Sequence, residues 1–470
     1  MNGCTLGVII GNRDFFPDHL VNKGRRELLE VLRRAGIDAV ILDEKATKFG
    51  AVETYADARR CAELFGRERD RIDGILVSLP NFGDEKGVLE TIKQARLDAP
   101  VLVQAFPDDM KKMAVEDRRD SFCGKLSVTS NLRQANIPFS LTALHTVHPS
   151  DVSFAADLER FTGVCRVVRG LRGARLGAIG ARPNAFNTVR YSEKILEANG
   201  ISVSTVDLSE ILAQAVKLAG QPAVKDRLEG IKAYADTSGV PSEALQKMAQ
   251  LAAAIDEWMQ ANDLQASAFQ CWTSIQQNYG VNPCAVMSMM SQQLAPCACE
   301  VDVTGALTMY AMQLASGTPS ALADWNNNYA DQPDKCVLFH CGNWASCFLD
   351  RTKMRYSDIL AGTQGKDKTY GALAGRTRPG PVTVARLSTE DDTGRIRGYV
   401  AEGTLTDDPL ETFGSCAVIH VSGLQELLRY ICLEGFEHHV AMNLSSCSQV
   451  LSEALTNYMG WDLYVHPDQK

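Results

Sequence analysis

Leu6-Gly-Val-Ile-Ile-Gly-Asn-Arg-Asp-Phe-Phe-Pro17 runs from an unbroken apolar stretch, 6–10, into a glycine, an asparagine and an arginine, and an amphipathic stretch follows at 22–35. The same alternation then continues, with apolar runs at 39–42, 74–78 and 101–106 and amphipathic runs at 51–66 and 85–98. Short continuous apolar strands separated by helices of this length predict a parallel sheet covered on both faces. Ligand crevices in such a sheet lie at the carboxyl ends of the strands. Three of those ends carry polar residues: Gly11-Asn-Arg13, Ser78-Leu-Pro-Asn81 and Gln104-Ala-Phe-Pro-Asp108. Arg13 stands within reach of a sugar hydroxyl or carboxylate there. Taken by itself, the position better suits an arginine paired with Asp14 or Asp18 at a helix start.

A second α/β pattern begins with the amphipathic run 151–169 and continues through a buried strand at 174–180, a loop at 181–186, a helix at 187–199 and a strand at 202–206. Its glycines do not spell G-x-G-x-x-G, so no dinucleotide site is read. Past Pro379 the pattern changes, and 382–387, 395–403 and 414–420 read as antiparallel strands with Asp391-Asp-Thr-Gly394 as a hairpin turn. The expected class is α/β. Two N-terminal parallel-sheet α/β domains, 1–150 and 151–297, are followed by a β-rich domain, 298–470. The 470 residues suffice for several domains. A net charge of -9 argues against nucleic acid or an anionic membrane as partner. No signal peptide or membrane span is read, so the expected location is the cytoplasm, and the 14 cysteines are read as reduced thiols.

The chemistry gathers at Ala298-Cys-Glu-Val-Asp-Val-Thr304. If 299–303 is a strand, Glu300 and Asp302 project from one face. Buried together they need a cation, since unpaired burial costs several kcal/mol or forces one to take up a proton. The spacing is equally that of a strand end in water. His438 and His439 are adjacent, so only one enters a shared site in an extended segment. One histidine with one or two carboxylates suits Mn²⁺ or another divalent cation that also holds substrate oxygens. Cys297, Cys299, Cys336 and Cys341 offer a competing four-sulfur site, although C-x-C and C-x4-C are not the usual spacing.

Taken in order, Gly11-Asn-Arg-Asp-Phe-Phe-Pro17, Phe122-Cys-Gly-Lys-Leu-Ser127, Asn187-Thr-Val-Arg-Tyr-Ser-Glu193, Ala298-Cys-Glu-Val-Asp302 with Gly305, Asp324-Trp-Asn-Asn-Asn328, Phe339-His-Cys-Gly-Asn343 and Phe436-Glu-His-His439 resemble the L-fucose isomerase/L-arabinose isomerase family over nearly the whole chain. The resemblance implies a three-domain protomer whose C-terminal domain, 298–470, is β-rich and barrel-like and carries the metal ligands, assembled as a trimer or hexamer with an active site completed by a neighbouring subunit. It implies a metal-dependent aldose-ketose isomerase acting through an ene-diol on a deoxyhexose, pentose or hexose. By motif, Asp302 is a metal ligand and base, His439 a metal ligand, and Arg13 the arginine that reaches a neighbour's sugar. The family's fucose isomerases place a glutamate upstream of that aspartate, and the corresponding Trp272-Thr-Ser-Ile-Gln-Gln-Asn278 contains no carboxylate. A glutamine such as Gln277 offers a carbonyl oxygen but cannot accept a proton from carbon. Glu300 is therefore expected to support or replace the missing base and ligand, with His340, Asn343, Gln277 and His438 on the substrate. Two alternatives stand beside this reading. One is an isomerase of an anionic sugar such as sulfoquinovose, with Arg13, Lys125, Arg190 or Arg397 facing the anionic group. The other is a catalytically silent sugar-binding relative.

Overall fold

Apolar runs without alternation become parallel strands buried on both faces, and this sets the first half of the chain. The computed structural model describes residues 3–467. They fall into two compact units, one of residues 3–169 with Glu453–Gly460, the other Gly170–Ser452 with the residues from Trp461 onward. The first unit holds β1 (Thr5–Ile10), β2 (Asp38–Ile41), β3 (Gly74–Leu79), β4 (Val101–Ala105) and β5 (Ser140–Leu141), all parallel, in the order β2-β1-β3-β4-β5. The order reverses between β1 and β3, so the loops at their carboxyl ends lie side by side. Buried Asn12 there donates to Asp18 and Glu53 (3.0 and 2.8 Å) and accepts from Asn81 (2.7 Å). Arg13 pairs with Glu85 (3.2 Å), not with Asp14 or Asp18, and lies over the Phe82 ring at 4.4 Å. Lys125 is buried and donates to the Thr142 hydroxyl and the His145 carbonyl. Its ammonium is therefore committed inside this unit.

The second unit holds two sheets. β6 (Arg175–Ile179), β7 (Ser202–Val206), β8 (Ala266–Phe269) and β9 (Cys297–Ala298) form a parallel sheet in the order β7-β6-β8-β9. The other sheet has nine strands: β10 (Ser320–Tyr329), β11 (Gln332–His340), β12 (Lys353–Tyr356), β13 (Tyr370–Arg376), β14 (Gly380–Glu390), β15 (Arg395–Thr406), β16 (Ser415–His420), β17 (His439–Asn443) and β18 (Asp462–His466). Six of them close on themselves, because β10, β11, β16, β15, β14 and β17 pair in turn and β17 returns to β10. The barrel expected after 298 is this ring, filled by Trp344, Leu338, Val384, Tyr399 and Met442. The α/β class is as expected, and the hairpin at 391–394 joins β14 to β15 in register from Gly380↔Leu405 to Glu390↔Arg395.

Three local expectations differ. Residues 299–303 are not a strand: β9 stops at Ala298, Glu300 and Val301 turn through φ of 56° each, and Asp302 caps the helix Val303–Ser316. The capping carboxylate accepts the Gly305 amide at 2.8 Å, a local hydrogen bond that wins over continued extension. The helix expected over 187–199 breaks into a 3₁₀ turn, Asn187–Val189, and a helix, Glu193–Ala198. Cys336 packs in the barrel core while Cys297 and Cys299 lie in the core around the second sheet, so the four-sulfur grouping is not formed. Among the described residues no helix is long and apolar enough to cross a membrane.

Candidate functional site

Glu300 and Asp302 share a turn but not an environment. Asp302 is fully buried, and the guanidinium of buried Arg386 on β14 grips both of its oxygens (2.5 and 3.0 Å). The same guanidinium donates to the Thr304 hydroxyl (2.8 Å) and to Glu437 (3.1 Å). Burial would raise the Asp302 carboxyl, but Arg386 and His439 outweigh it and hold it well below the usual carboxylate range. Glu300 has no such cation, and burial pushes its carboxyl up against the pull of His439. Its Oε1 accepts from the Trp272 indole (2.9 Å) and the Cys271 thiol (3.4 Å), whereas Oε2 has no hydrogen-bond partner among the described residues.

Asp302 also fixes a histidine. His439 Nδ1 lies 2.9 Å from Asp302 Oδ2, and since that carboxylate can only accept, Nδ1 carries the proton and Nε2 is left free to act as a donor atom to a cation. Register brings the next member. Asp324 on β10 stands directly opposite His439 on β17 in an antiparallel pair, which puts both side chains on one face. Asp324 Oδ1 is 3.5 Å and Glu300 Oε2 is 3.6 Å from His439 Nε2. Burial pushes the Asp324 carboxyl up to about 7, with His439 opposing and the charge of Glu300 adding.

His340, at the end of β11, has the opposite tautomer. Its Nδ1 accepts the Cys341 amide (2.9 Å), so the proton sits on Nε2, which is buried, unpartnered and 3.9 Å from Glu300 Oε2. Burial, with His439 and His438 nearby, pushes this imidazole down to about 3, so it is neutral. His340 thus presents an N–H, whereas His439, raised against the effect of burial by Asp302, Glu300 and Asp324, presents a lone pair once a cation displaces its Nε2 proton.

Of the residues expected at the site, Glu300, Asp302, His340 and His439 are brought together. Asn343 is close by, donating to Cys299 Sγ (3.3 Å) with its own Oδ1 unpartnered. His438 is half-exposed, stacks edge-on against His439 and lies 3.8 Å from Asp324. Gln277 is not at the site. It is exposed and bonded to Gln364, while Gln276 turns inward onto Cys271 O and Asn282. Arg13 belongs to the other unit. Sequence reasoning passed over Asp324, Arg386, Trp272 and Phe186. Phe186 covers the group, with its ring 5.2 Å from Trp272 and 5.8 Å from His438. Asp324 opens the motif Asp324-Trp-Asn-Asn-Asn328 that helps carry the resemblance, and as a lone carboxylate closing the apolar run Ser320-Ala-Leu-Ala323 it offered a second signal.

The donors fit a divalent cation. Glu300 Oε2 and Asp324 Oδ1 are buried oxygens without hydrogen-bond partners that face the lone pair of His439 Nε2. Leaving such atoms unpaired costs about 1–3 kcal/mol each. Ligand atoms of Glu300, His340 and His439 lie within 4.8 Å of one another, and so do those of Asp324, His438 and His439, so His439 is common to two groups of donors of the kind that suit such an ion. Asp302 is already saturated by Arg386, Gly305 and His439.

Two family domains match this chain. The N-terminal domain of fucose/sulfoquinovose isomerases covers residues 7–172, and the C-terminal domain of L-fucose isomerase covers residues 338–466. Proteins named sulfoquinovose isomerase are similar to most of it. Those of Priestia aryabhattai and Priestia megaterium are each 24% identical over 458 residues, 96% of this chain and 97% of theirs. That of Alkalicoccus urumqiensis is 24% identical over 377 residues, 79% of this chain and 81% of its own.

The raised Asp324 predicts that a cation held there would bind in a pH-dependent way. Without a cation the folded chain keeps this proton up to about pH 7, whereas an unfolded aspartate releases it near pH 4. The folded state then binds more protons across that window, so this group's contribution to stability falls as pH rises through it. A cation that takes the proton's place should therefore raise Tm more at pH 8 than at pH 5. At a hundredfold excess over Kd the stabilisation should be about 2.7 kcal/mol. Calorimetry with and without Mn²⁺ checks this, and Asp324→Asn should lose most of the increment.

Proposed function

The chain belongs to the fucose isomerase family of aldose-ketose isomerases, and from that premise we propose that it works with a divalent metal, Mn²⁺, on a sulfonated aldose, sulfoquinovose. The observation that carries the metal is the set of unpartnered oxygens, Glu300 Oε2 and Asp324 Oδ1, beside a histidine whose free nitrogen is fixed by Asp302. The ligands in this reading are Glu300, Asp324 and His439, and Asp302 orients His439 from behind. A divalent ion bound there supplies polarisation of the oxygens at sugar carbons 1 and 2, which acidifies the carbon-bound proton.

The remaining work falls to side chains. Glu300 and Asp324, both with raised pKa values, are suited to take a proton from one carbon and return it to the next. The Trp272 indole holds Glu300 by Oε1 and so keeps the other oxygen directed at the reacting centre. His340, neutral with its proton on Nε2, donates to a sugar oxygen, and Asn343 offers its free Oδ1 to a hydroxyl. Phe186 excludes water over His438 and Trp272. Because Glu300 does the work of the upstream glutamate, the carboxylate-free segment 272–278 gives no reason to read a silent relative. Arg13, held by Glu85 and Phe82, is the residue offered to a neighbouring subunit's sugar in a homo-oligomer.

The sulfonate reading rests on the names of the relatives and on two arginines. The loop that brings Phe186 onto His438 also carries Arg182 and Arg190. Both line a cleft of about 770 Å³ with Asn187, Thr188, Ser388 and Thr389. Among the described residues neither pairs with a carboxylate, whereas Arg397 in the same cleft is tied to Glu390 and Glu434.

With Mn²⁺-loaded protein in D₂O, sulfoquinovose should acquire deuterium at carbon 2, faster than L-fucose or L-arabinose does. Exchange into none of a panel of neutral, deoxy and sulfonated aldoses would sink the isomerase, and faster exchange into fucose would sink the substrate. Glu300→Gln or Asp324→Asn should slow exchange by about 10²–10⁴-fold with an unchanged circular dichroism spectrum. Replacing Arg182 and Arg190 together by alanine should raise KM for sulfoquinovose about tenfold, a loss of about 1.4 kcal/mol, and leave KM for a neutral aldose in place. Equal effects on both sugars would remove these arginines from sulfonate recognition.

A further inference from the structure

Glu300 faces two different chemistries. Its Oε2 looks toward His439, while Oε1 looks toward a cluster of thiols that the isomerase reading leaves unused. Cys271 follows β8 and Cys299 follows β9, and the pairing of those strands, Ser267↔Cys297 and Ala268↔Ala298, brings the two cysteines together at one sheet end. Cys271 Sγ, Cys299 Sγ and a Glu300 oxygen all lie within 4.8 Å of one another. Cys271 donates to Glu300 Oε1 at 3.4 Å. Cys299 accepts from the Asn343 amide at 3.3 Å, and neighbouring Cys284 accepts from the Asn282 amide, also at 3.3 Å.

A buried cysteine that only fills space is surrounded by aliphatic groups. These sulfurs instead face each other, a carboxylate and amide N–H groups, and burial with the Glu300 charge keeps Cys271 and Cys299 as neutral thiols until a cation displaces their protons. All are free thiols, with Cys271 3%, Cys284 2% and Cys299 1% exposed. Two sulfurs bound about 2.3 Å from one ion stand about 3.8 Å apart, which this cluster reaches with small side-chain movements. Soft thiolates select zinc, cadmium or cuprous ions, whereas the carboxylate and imidazole donors across Glu300 suit manganese or magnesium.

We propose that Cys271, Cys299 and Oε1 of Glu300 form a second cation site, specific for a thiophilic divalent ion of the zinc and cadmium type. On binding, each thiol releases its proton to solvent, two in all, and two sulfur-metal bonds form with no change of oxidation state. Occupation also takes Oε1 from the Trp272 indole. The site does not depend on which sugar is turned over, so either reading can fail without the other.

The test uses the full chain with its exposed thiols Cys123, Cys347 and Cys432 replaced by serine. Titration with Cd²⁺ should produce an ultraviolet thiolate-to-cadmium charge-transfer band that saturates at one ion per chain. The band should be roughly halved by Cys271→Ser or by Cys299→Ser and lost in the double variant, in proportion to the sulfur ligands removed. It should persist in Asp324→Asn, which disables only the other site. No band in the parent chain, or an equal band in the double variant, overturns the proposal. Should the serine variants fail to fold, the ¹¹³Cd resonance of the parent chain decides. A shift in the region of mixed sulfur and oxygen ligation supports the site, and one confined to the oxygen-nitrogen region overturns it.

Discussion

The Arg386 guanidinium on Asp302 is the contact on which the rest of the site depends. It joins β14 to the N-terminus of the helix Val303–Ser316 and, through Glu437, to the residues just before β17. A buried ion pair of this kind is weak evidence for net stability, because desolvation offsets most of the attraction. Removing one partner is another matter, and leaves an uncompensated charge at about 3–5 kcal/mol. The packing leaves little room around it. A Cβ at Gly305 would sit 2.4 Å from Asp302 Oδ2 and 3.0 Å from Arg386 Nη1, so the glycine that follows Glu300-Val-Asp302 is there to let the guanidinium in.

Once Asp302 is held as an anion, the histidines divide. An acceptor-only carboxylate on His439 Nδ1 leaves a lone pair on Nε2, and a backbone N–H on His340 Nδ1 leaves a proton there. Two imidazoles with ring centres 5.9 Å apart therefore offer opposite chemistry to the same space. The carboxylates divide in the same way. Asp302 is pulled below the ordinary range by Arg386 and His439, and Glu300 and Asp324, buried without a guanidinium, are pushed above it. Environment, not residue type, separates the carboxylate that holds His439 from the two that are left without a cation.

Much of the fold was legible because it depends on local pattern. The unbroken apolar runs of β1, β3 and β4 and the hairpin at 391–394 are each set by neighbours in sequence. The need of Glu300 and Asp302 for positive charge was legible too, from two acids in an apolar setting. What answers that need was not. The cation on Asp302 is a side chain 84 residues away on another strand. Asp324 meets His439 only through the register of two strands more than a hundred residues apart, a pairing that no spacing encodes. Gln277 looked suitable by alignment to a motif, but the short helix Ser274–Asn278 turns Gln276 inward and Gln277 to solvent. The expected strand at 299–303 failed because a capping aspartate outcompeted extension.

That failure also explains how Glu300 Oε2 comes to lack a hydrogen-bond partner among the described residues. Glu300 and β-branched Val301 both hold φ of 56°, a conformation that costs of order 1–3 kcal/mol per residue for side chains of this kind. The turn is kept in place by Val301 N on Phe269 O, by Asp302 N on Cys299 O and by the capped helix beyond. The strain aims Glu300 at His439 without giving its Oε2 a protein partner, and burial does the same for Asp324 Oδ1 and His340 Nε2. Each of these groups destabilises the ligand-free fold. The Arg386 network and the barrel core must hold them apart, because an internal hydrogen bond to any one of them would stabilise the protein and close the site. Preorganisation here is therefore a set of interactions withheld, which the cation and sugar of the proposed reaction would supply.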